Sequence, residues 1–180
     1  MTNMFPSSVE VFMQQKYISE NSTIPKAIFK VLDKGKDNVF VFDRGVHKRD
    51  TFCELDDNDY SFVTRLNPNS RYIYLNAITL PDNRVIRNLT IIKDENVYLY
   101  KTGDKIVEHP FRLIQTKNQK KAYWFLTDRF DLTCEEIINI YKQRWDIEVF
   151  FRFIKQELNF RHLISVNENG IKIILYMTLI

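Results

Sequence analysis

Apolar positions change their spacing along this chain, and each change marks a different kind of element. From position 7 to 32 they are spread as on an amphipathic helix. Pro25 suits a first turn and Gly35 can close the last one, so a helix is predicted over 25–34. Val39-Phe40-Val41-Phe42 is instead an unbroken apolar run of the kind found in strands covered on both faces, and it stops abruptly at Asp43-Arg44-Gly45. Positions 47–57 have room for a short helix, and Tyr60-Ser61-Phe62-Val63-Thr64-Arg65-Leu66 alternates well enough for a second strand. Helix, strand, helix, strand in succession predicts an α/β layer.

Between 71 and 126 the texture turns β-branched and aromatic. The segments RYIYLNAITL, VIRNLTIIK, NVYLYK, FRLIQT and AYWFLT are separated by Pro-Asp-Asn, Lys-Asp-Glu-Asn and Lys-Asn-Gln-Lys-Lys, which predicts an antiparallel set of about five strands. Thr133-Cys-Glu-Glu136 is a capping box opening a long helix that is expected to run to about 158. The apolar segment 171–180 reads as a further helix or strand. Three stretches follow from this pattern: 1–70 as an α/β core, 71–127 as a β-rich insertion, and 128–180 as the return to the core.

Composition narrows the function. Among 180 residues, 44% are hydrophobic and 27% charged, as in ordinary folding domains, so disordered and fibrous classes are set aside. The 4 glycines are too scattered to cradle a nucleotide phosphate. Cys53 and Cys134 form no paired motif, and the 3 histidines are dispersed, which argues against a disulfide scaffold or a zinc site. The opening MTNMFPSSVE has no secretory character, and no apolar run reaches the roughly 20 residues a membrane span requires. A cytoplasmic protein without membrane attachment is expected. The formal charge of +3 is compatible with an anionic partner without demanding one.

The residues that change the picture are Tyr141, Arg144, Glu148 and Lys155. At about 100° per residue they share a helical wedge about 60° wide. Ile140, Ile147, Phe150, Phe151, Ile154 and Leu158 border that wedge, so it sits at the rim of an apolar face. An isolated Arg-x-x-x-Glu is ordinarily a surface pair worth a few tenths of a kcal/mol. A carboxylate flanked by a phenol, a guanidinium and an ammonium, however, is suited to holding a phosphodiester. Asp43 is the second candidate, because ligands collect outside the carboxyl ends of strands in open α/β sheets. Its alternative role is that of a turn former. Together Asp43 and Glu148 could supply hard oxygen ligands to two magnesium ions about 4 Å apart, for phosphoryl transfer.

The order Phe-Asp43-Arg-Gly, a β-rich stretch, then Tyr141-x-x-Arg144-x-x-x-Glu148-x6-Lys155 resembles the catalytic domain of DDE transposases of the insertion-sequence-four family. The surrounding IINIYKQRWDIEVFFRFIKQEL is similar as well. The resemblance implies an RNase H-like core with an antiparallel β insertion before the helix that carries the catalytic glutamate. It implies that Asp43 is the second aspartate and Glu148 the glutamate of an acidic triad, both binding Mg2+ or Mn2+ in a two-metal site. Tyr141, Arg144 and Lys155 would grip DNA at the transposon end, and Tyr123 or Trp124 would stack a flipped base. The implied reactions are nicking, hairpin formation and strand transfer. The implied partners are double-stranded DNA, as terminal inverted repeats and target, and a second copy in the full-length protein. A nucleoid location follows from the same resemblance.

One departure from the family pattern stands out. Only Asp33 and Asp37 precede Asp43 as aspartates, and both flank Gly35 in a helix-to-strand turn, where the first triad aspartate does not belong. The expectation is a chain lacking the first strands of the core and inactive by itself. The alternatives are a noncatalytic DNA-binding remnant, an RNase H-like nuclease fragment, and a structural domain in which Arg144 and Glu148 merely pair.

Overall fold

The computed structural model describes residue 28, residues 35–157, and residues 167, 169 and 170. In chain order these form β1 (Gly35–Phe42), α1 (Arg49–Asp57), β2 (Tyr60–Leu66), β3 (Tyr72–Ala77), β4 (Val85–Ile86), β5 (Leu89–Leu99), β6 (Phe111–Lys117), β7 (Ala122–Thr127) and α2 (Cys134–Glu157). The result is a mixed α/β fold, consistent with an RNase H-like core. Of the helix expected over 25–34 only residue 28 is described, as helical, and the segment 171–180 lies outside the described residues.

A seven-stranded sheet runs β1-β2-β7-β6-β5-β3, with β4 pairing β5. β1 and β2 are parallel, with Phe42 opposite Thr64, because α1 returns the chain to the starting end of the sheet. The remaining pairs are antiparallel. β7 lies directly beside β2, with Leu66 opposite Trp124, so the β-rich stretch continues the sheet that β1 and β2 begin. The junction is fastened by side chains. Asp128 accepts hydrogen bonds from Ser61 Oγ at 3.0 Å and from Phe62 N at 2.7 Å, and Thr127 Oγ1 donates to the Phe62 carbonyl at 2.6 Å.

Strand alternation divides the apolar residues between the two faces. One core gathers Phe42, Phe62, Phe111, Leu113 and Leu126 under Phe52 and Leu55 of α1. Its aromatic rings are tightly grouped, with Phe62 5.2 Å from Phe52 and 5.6 Å from Phe111 between centroids. The other core gathers Val63, Ile91, Ile114 and Phe125 under Ile137, Ile138 and Tyr141 of α2. The unbroken run in β1 feeds both cores, Phe40 and Phe42 to the first and Val39 and Val41 to the second. α2 therefore packs across β1, β2 and β7, and that placement carries its polar rim to the end of β1.

The helix start follows the capping box. Glu136 Oε2 accepts from Thr133 N at 2.7 Å, and Glu136 N donates to Thr133 Oγ1 at 3.2 Å. Lys93-Asp94-Glu95-Asn96 differs from expectation: it is not a break between strands but the middle of β5. The polarity is tolerated because Asp94 is buried against Arg112 of β6, with Nε–Oδ1 at 2.9 Å and Nη2–Oδ2 at 2.7 Å. Cys134 Sγ donates to the same carboxylate at 2.9 Å. Burial first, and then the hydrogen bond to Asp94 and its charge, push the Cys134 thiol up to about 12. Among the described residues no helix is long and apolar enough to cross a membrane.

Candidate active site at the end of β1

Asp43 is the first residue beyond β1, and its carboxylate is fixed locally by the turn it opens. Oδ1 accepts from Arg44 N at 2.7 Å, while the Asp43 carbonyl accepts from Val46 N at 3.2 Å. From α2, the Tyr141 hydroxyl donates to Asp43 Oδ1 at 3.4 Å. Arg144 Nη1 lies 3.9 Å from Asp43 Oδ2 and 2.6 Å from Glu148 Oε1. One guanidinium nitrogen thus serves both carboxylates. The two oxygens are no further apart than those distances laid end to end, well inside the ~10 Å beyond which a shared two-metal site fails.

The electrostatics follow from partial burial. The side chain of Arg144 is 17% exposed, against 53% for Asp43 and 39% for Glu148, so the cation is held from beneath while the acids face solvent. Burial works to raise the Asp43 pKa. The Arg44 amide, the charges of Arg144 and Arg65 and the Tyr141 hydroxyl outweigh it and hold the carboxyl below its ordinary value. Burial also raises the Tyr141 phenol, which keeps it a proton donor. Arg144 loses charge stability to burial but regains more from Glu148, Tyr141 and Asp43.

Arg65 belongs to the same centre, although sequence reasoning did not single it out. Phe42 and Thr64 are the last registered pair of β1 and β2, and Asp43 and Arg65 each stand one step further on. The Arg65 guanidinium lies 5.0 Å from the Tyr123 ring centroid and 5.8 Å from that of Tyr141, while Arg144 lies 5.6 Å from Tyr141. The Nε atoms of Arg65 and Arg144 are both buried without a hydrogen-bond partner. The available signal was parity: Arg65 shares a face with Val63, the face that α2 covers.

Arg65, Tyr123, Phe125, Tyr141, Arg144 and Trp145 line a groove of about 670 Å³. Arg65 also lines the adjoining groove that contains Asp43. The structure thus brings Asp43, Tyr123, Tyr141, Arg144 and Glu148 to one neighbourhood. It does not bring Trp124, whose ring packs edge-on against Tyr72 at 5.8 Å on the opposite face of the sheet. Lys155 falls within α2, and its side chain lies outside the described residues.

Two exposed carboxylates converging on one cation suit a hard divalent ion that keeps several waters. Asp43 and Glu148 therefore fit a metal by donor chemistry. Among the described residues no group of three His, Cys, Asp or Glu side chains is placed to hold one.

The chain is similar to known proteins. The family described as "Transposase DDE domain" matches residues 6–180. A protein of Sinorhizobium fredii named as a transposase, y4zB, is 27% identical over 144 residues, covering 78% of this chain and 40% of the relative. The protein named as a transposase for insertion sequence element IS5377 of Geobacillus stearothermophilus is 44% identical over 46 residues, 26% of this chain and 12% of the relative. That named for element IS4SA of a Synechocystis species is 46% identical over 46 residues, 26% of this chain and 14% of the relative. The chain thus spans well under half the length of the curated relatives it matches.

Proposed function

The chain belongs to the transposase DDE domain family, and from that premise we propose that the centre around Arg144 is part of the DNA-cutting apparatus of an insertion-sequence transposase of the insertion-sequence-four kind. The observation that carries the proposal is the shared guanidinium: Asp43 from the end of β1 and Glu148 from α2 both meet Arg144 Nη1. The reactions are nicking, hairpin formation and strand transfer at the element's ends. The partners are its terminal inverted repeats, target DNA and a second copy in the assembled protein, and the working location is the nucleoid.

Asp43 and Glu148 are the residues that would hold Mg2+ or Mn2+. A pair of such ions supplies activation of the attacking oxygen and neutralisation of the leaving one. The remaining roles belong to the chain's own side chains. Tyr141 keeps the Asp43 carboxylate oriented by donating its hydroxyl proton to Oδ1. Arg144 and Arg65 present planar donor forks to the phosphodiester. Tyr123 faces the aromatic groove, where a base drawn out of its stack can rest. Lys155 extends the positive charge along α2, seven residues or about 10 Å beyond Glu148.

Among the described residues two carboxylates converge, which leaves a two-metal centre short of charge, so the 180-residue chain is expected to bind DNA without cutting it. Supercoiled plasmid incubated with the purified chain and Mg2+ or Mn2+ is expected to stay closed. The same chain should bind a duplex carrying the element's ends with an affinity that falls in Arg144→Ala. Nicking that disappears in Asp43→Asn would overturn the inactivity. Failure to bind duplex, or binding indifferent to Arg144→Ala, would overturn the site assignment.

A further inference from the structure

The groove containing Asp43 and Arg65 does not end at the centre. It also contains Arg44, His47 and Arg49. His47 and Arg49 line, in addition, a third groove of about 810 Å³ together with Lys48, Arg71, Lys101 and Lys105. The path from Arg65 to Lys105 is therefore continuous. Its far part is assembled from separate pieces of sequence, the start of α1, the approach to β3 and the loop after β5.

Charge in this far groove is lopsided. Five lysine and arginine side chains line it against one carboxylate, Asp50, which pairs with Lys101 at 2.6 Å. Asp104 pairs with Arg71 at 2.5 Å from just outside the lining. Even with both acids counted, the basic side chains of the groove outnumber the acidic ones.

We propose that this groove seats the backbone of the double-stranded DNA flanking the phosphodiester at the centre. The inference rests on the DNA-cutting reading above and adds the direction in which the duplex leaves. Long, largely exposed lysines suit phosphates, whose positions carry no base identity, so the contact positions the duplex without reading its sequence. A duplex offers one phosphate charge per about 1.7 Å of axis, which a track of successive basic grooves can meet at several points. Asp50 pairs with Lys101 and Asp104 with Arg71 along this track, and Lys48 and Lys105 are exposed beside them.

The test is fluorescence anisotropy with a duplex of roughly 20 base pairs, longer than the domain is wide, across a series of salt concentrations. The parent chain is compared with the double variant Lys48→Gln/Lys105→Gln and, separately, with Arg144→Ala. Loss of two phosphate contacts predicts at least about tenfold weaker binding near 0.1 M salt and a salt slope shallower by about 2. Acylation of the parent chain supplies a second readout that needs no variant: Lys48 and Lys105 should be protected by duplex. Unchanged affinity and slope in the double variant, with no protection, while Arg144→Ala weakens binding, overturns this groove and leaves the centre intact. Indifference to all of these substitutions, or no binding by the parent chain, overturns both.

Discussion

The Tyr141 hydroxyl donates a hydrogen bond to Asp43 Oδ1 at 3.4 Å, across 98 positions of sequence. That contact and the Arg144 bridge are what join the end of β1 to α2. They also set the state of the aspartate: burial opposes its charge, and Arg44, Arg144, Arg65 and Tyr141 together overcome that opposition.

Asp43 therefore titrates below the ordinary carboxylate range in the folded chain. A depressed pKa contributes stability that is fully present above the unfolded value of 3.8 and is lost as pH falls through the folded one. Carboxyl-carbon NMR should show the Asp43 midpoint moving upward in Arg144→Gln, because the burial penalty stays while an opposing charge is removed. A midpoint that does not move would separate Arg144 from Asp43.

The second prediction concerns the buried pair within the strands. Arg112→Ala removes the cation from the Asp94 carboxyl, which is enclosed at 0% side-chain exposure, and should cost about 3–5 kcal/mol in chemical denaturation. A loss below about 1 kcal/mol, the range of exposed pairs, would show that Asp94 is reached by water.

Tyr123 and Trp124 are adjacent in sequence and point to opposite faces, so their variants should fail differently. Tyr123→Ala is expected to weaken duplex binding while leaving the denaturation midpoint close to that of the parent. Trp124→Ala removes a partly buried ring packed on Tyr72 and should lower the denaturation midpoint with little change in DNA affinity per folded molecule. The reverse pattern would put the stacking aromatic on the other residue.

Much of this architecture was legible where one local rule dominates. The unbroken apolar run before Asp43 predicted a strand packed on both sides, and the Thr133 to Glu136 spacing predicted a helix start that the reciprocal hydrogen bonds reproduce. The wedge of Tyr141, Arg144 and Glu148 was legible because helical geometry fixes which residues share a face. Lys93 to Asn96 was misread as a break because the polarity of Asp94 is compensated by Arg112, which enters from another strand 18 positions later. Arg65 escaped for a similar reason: its value depends on parallel register with Asp43 and on a ring supplied by β7. Local pattern specifies elements, whereas partners drawn from distant strands decide which polar residues matter.

Carboxyl-carbon NMR during a Mn2+ titration tests the convergence most directly. Asp43 and Glu148 should broaden over the same range of Mn2+ concentration, and Asp43→Asn should abolish the broadening at Glu148. Broadening of one residue alone, or of Glu148 undiminished in Asp43→Asn, would contradict a single centre built from the end of β1 and α2.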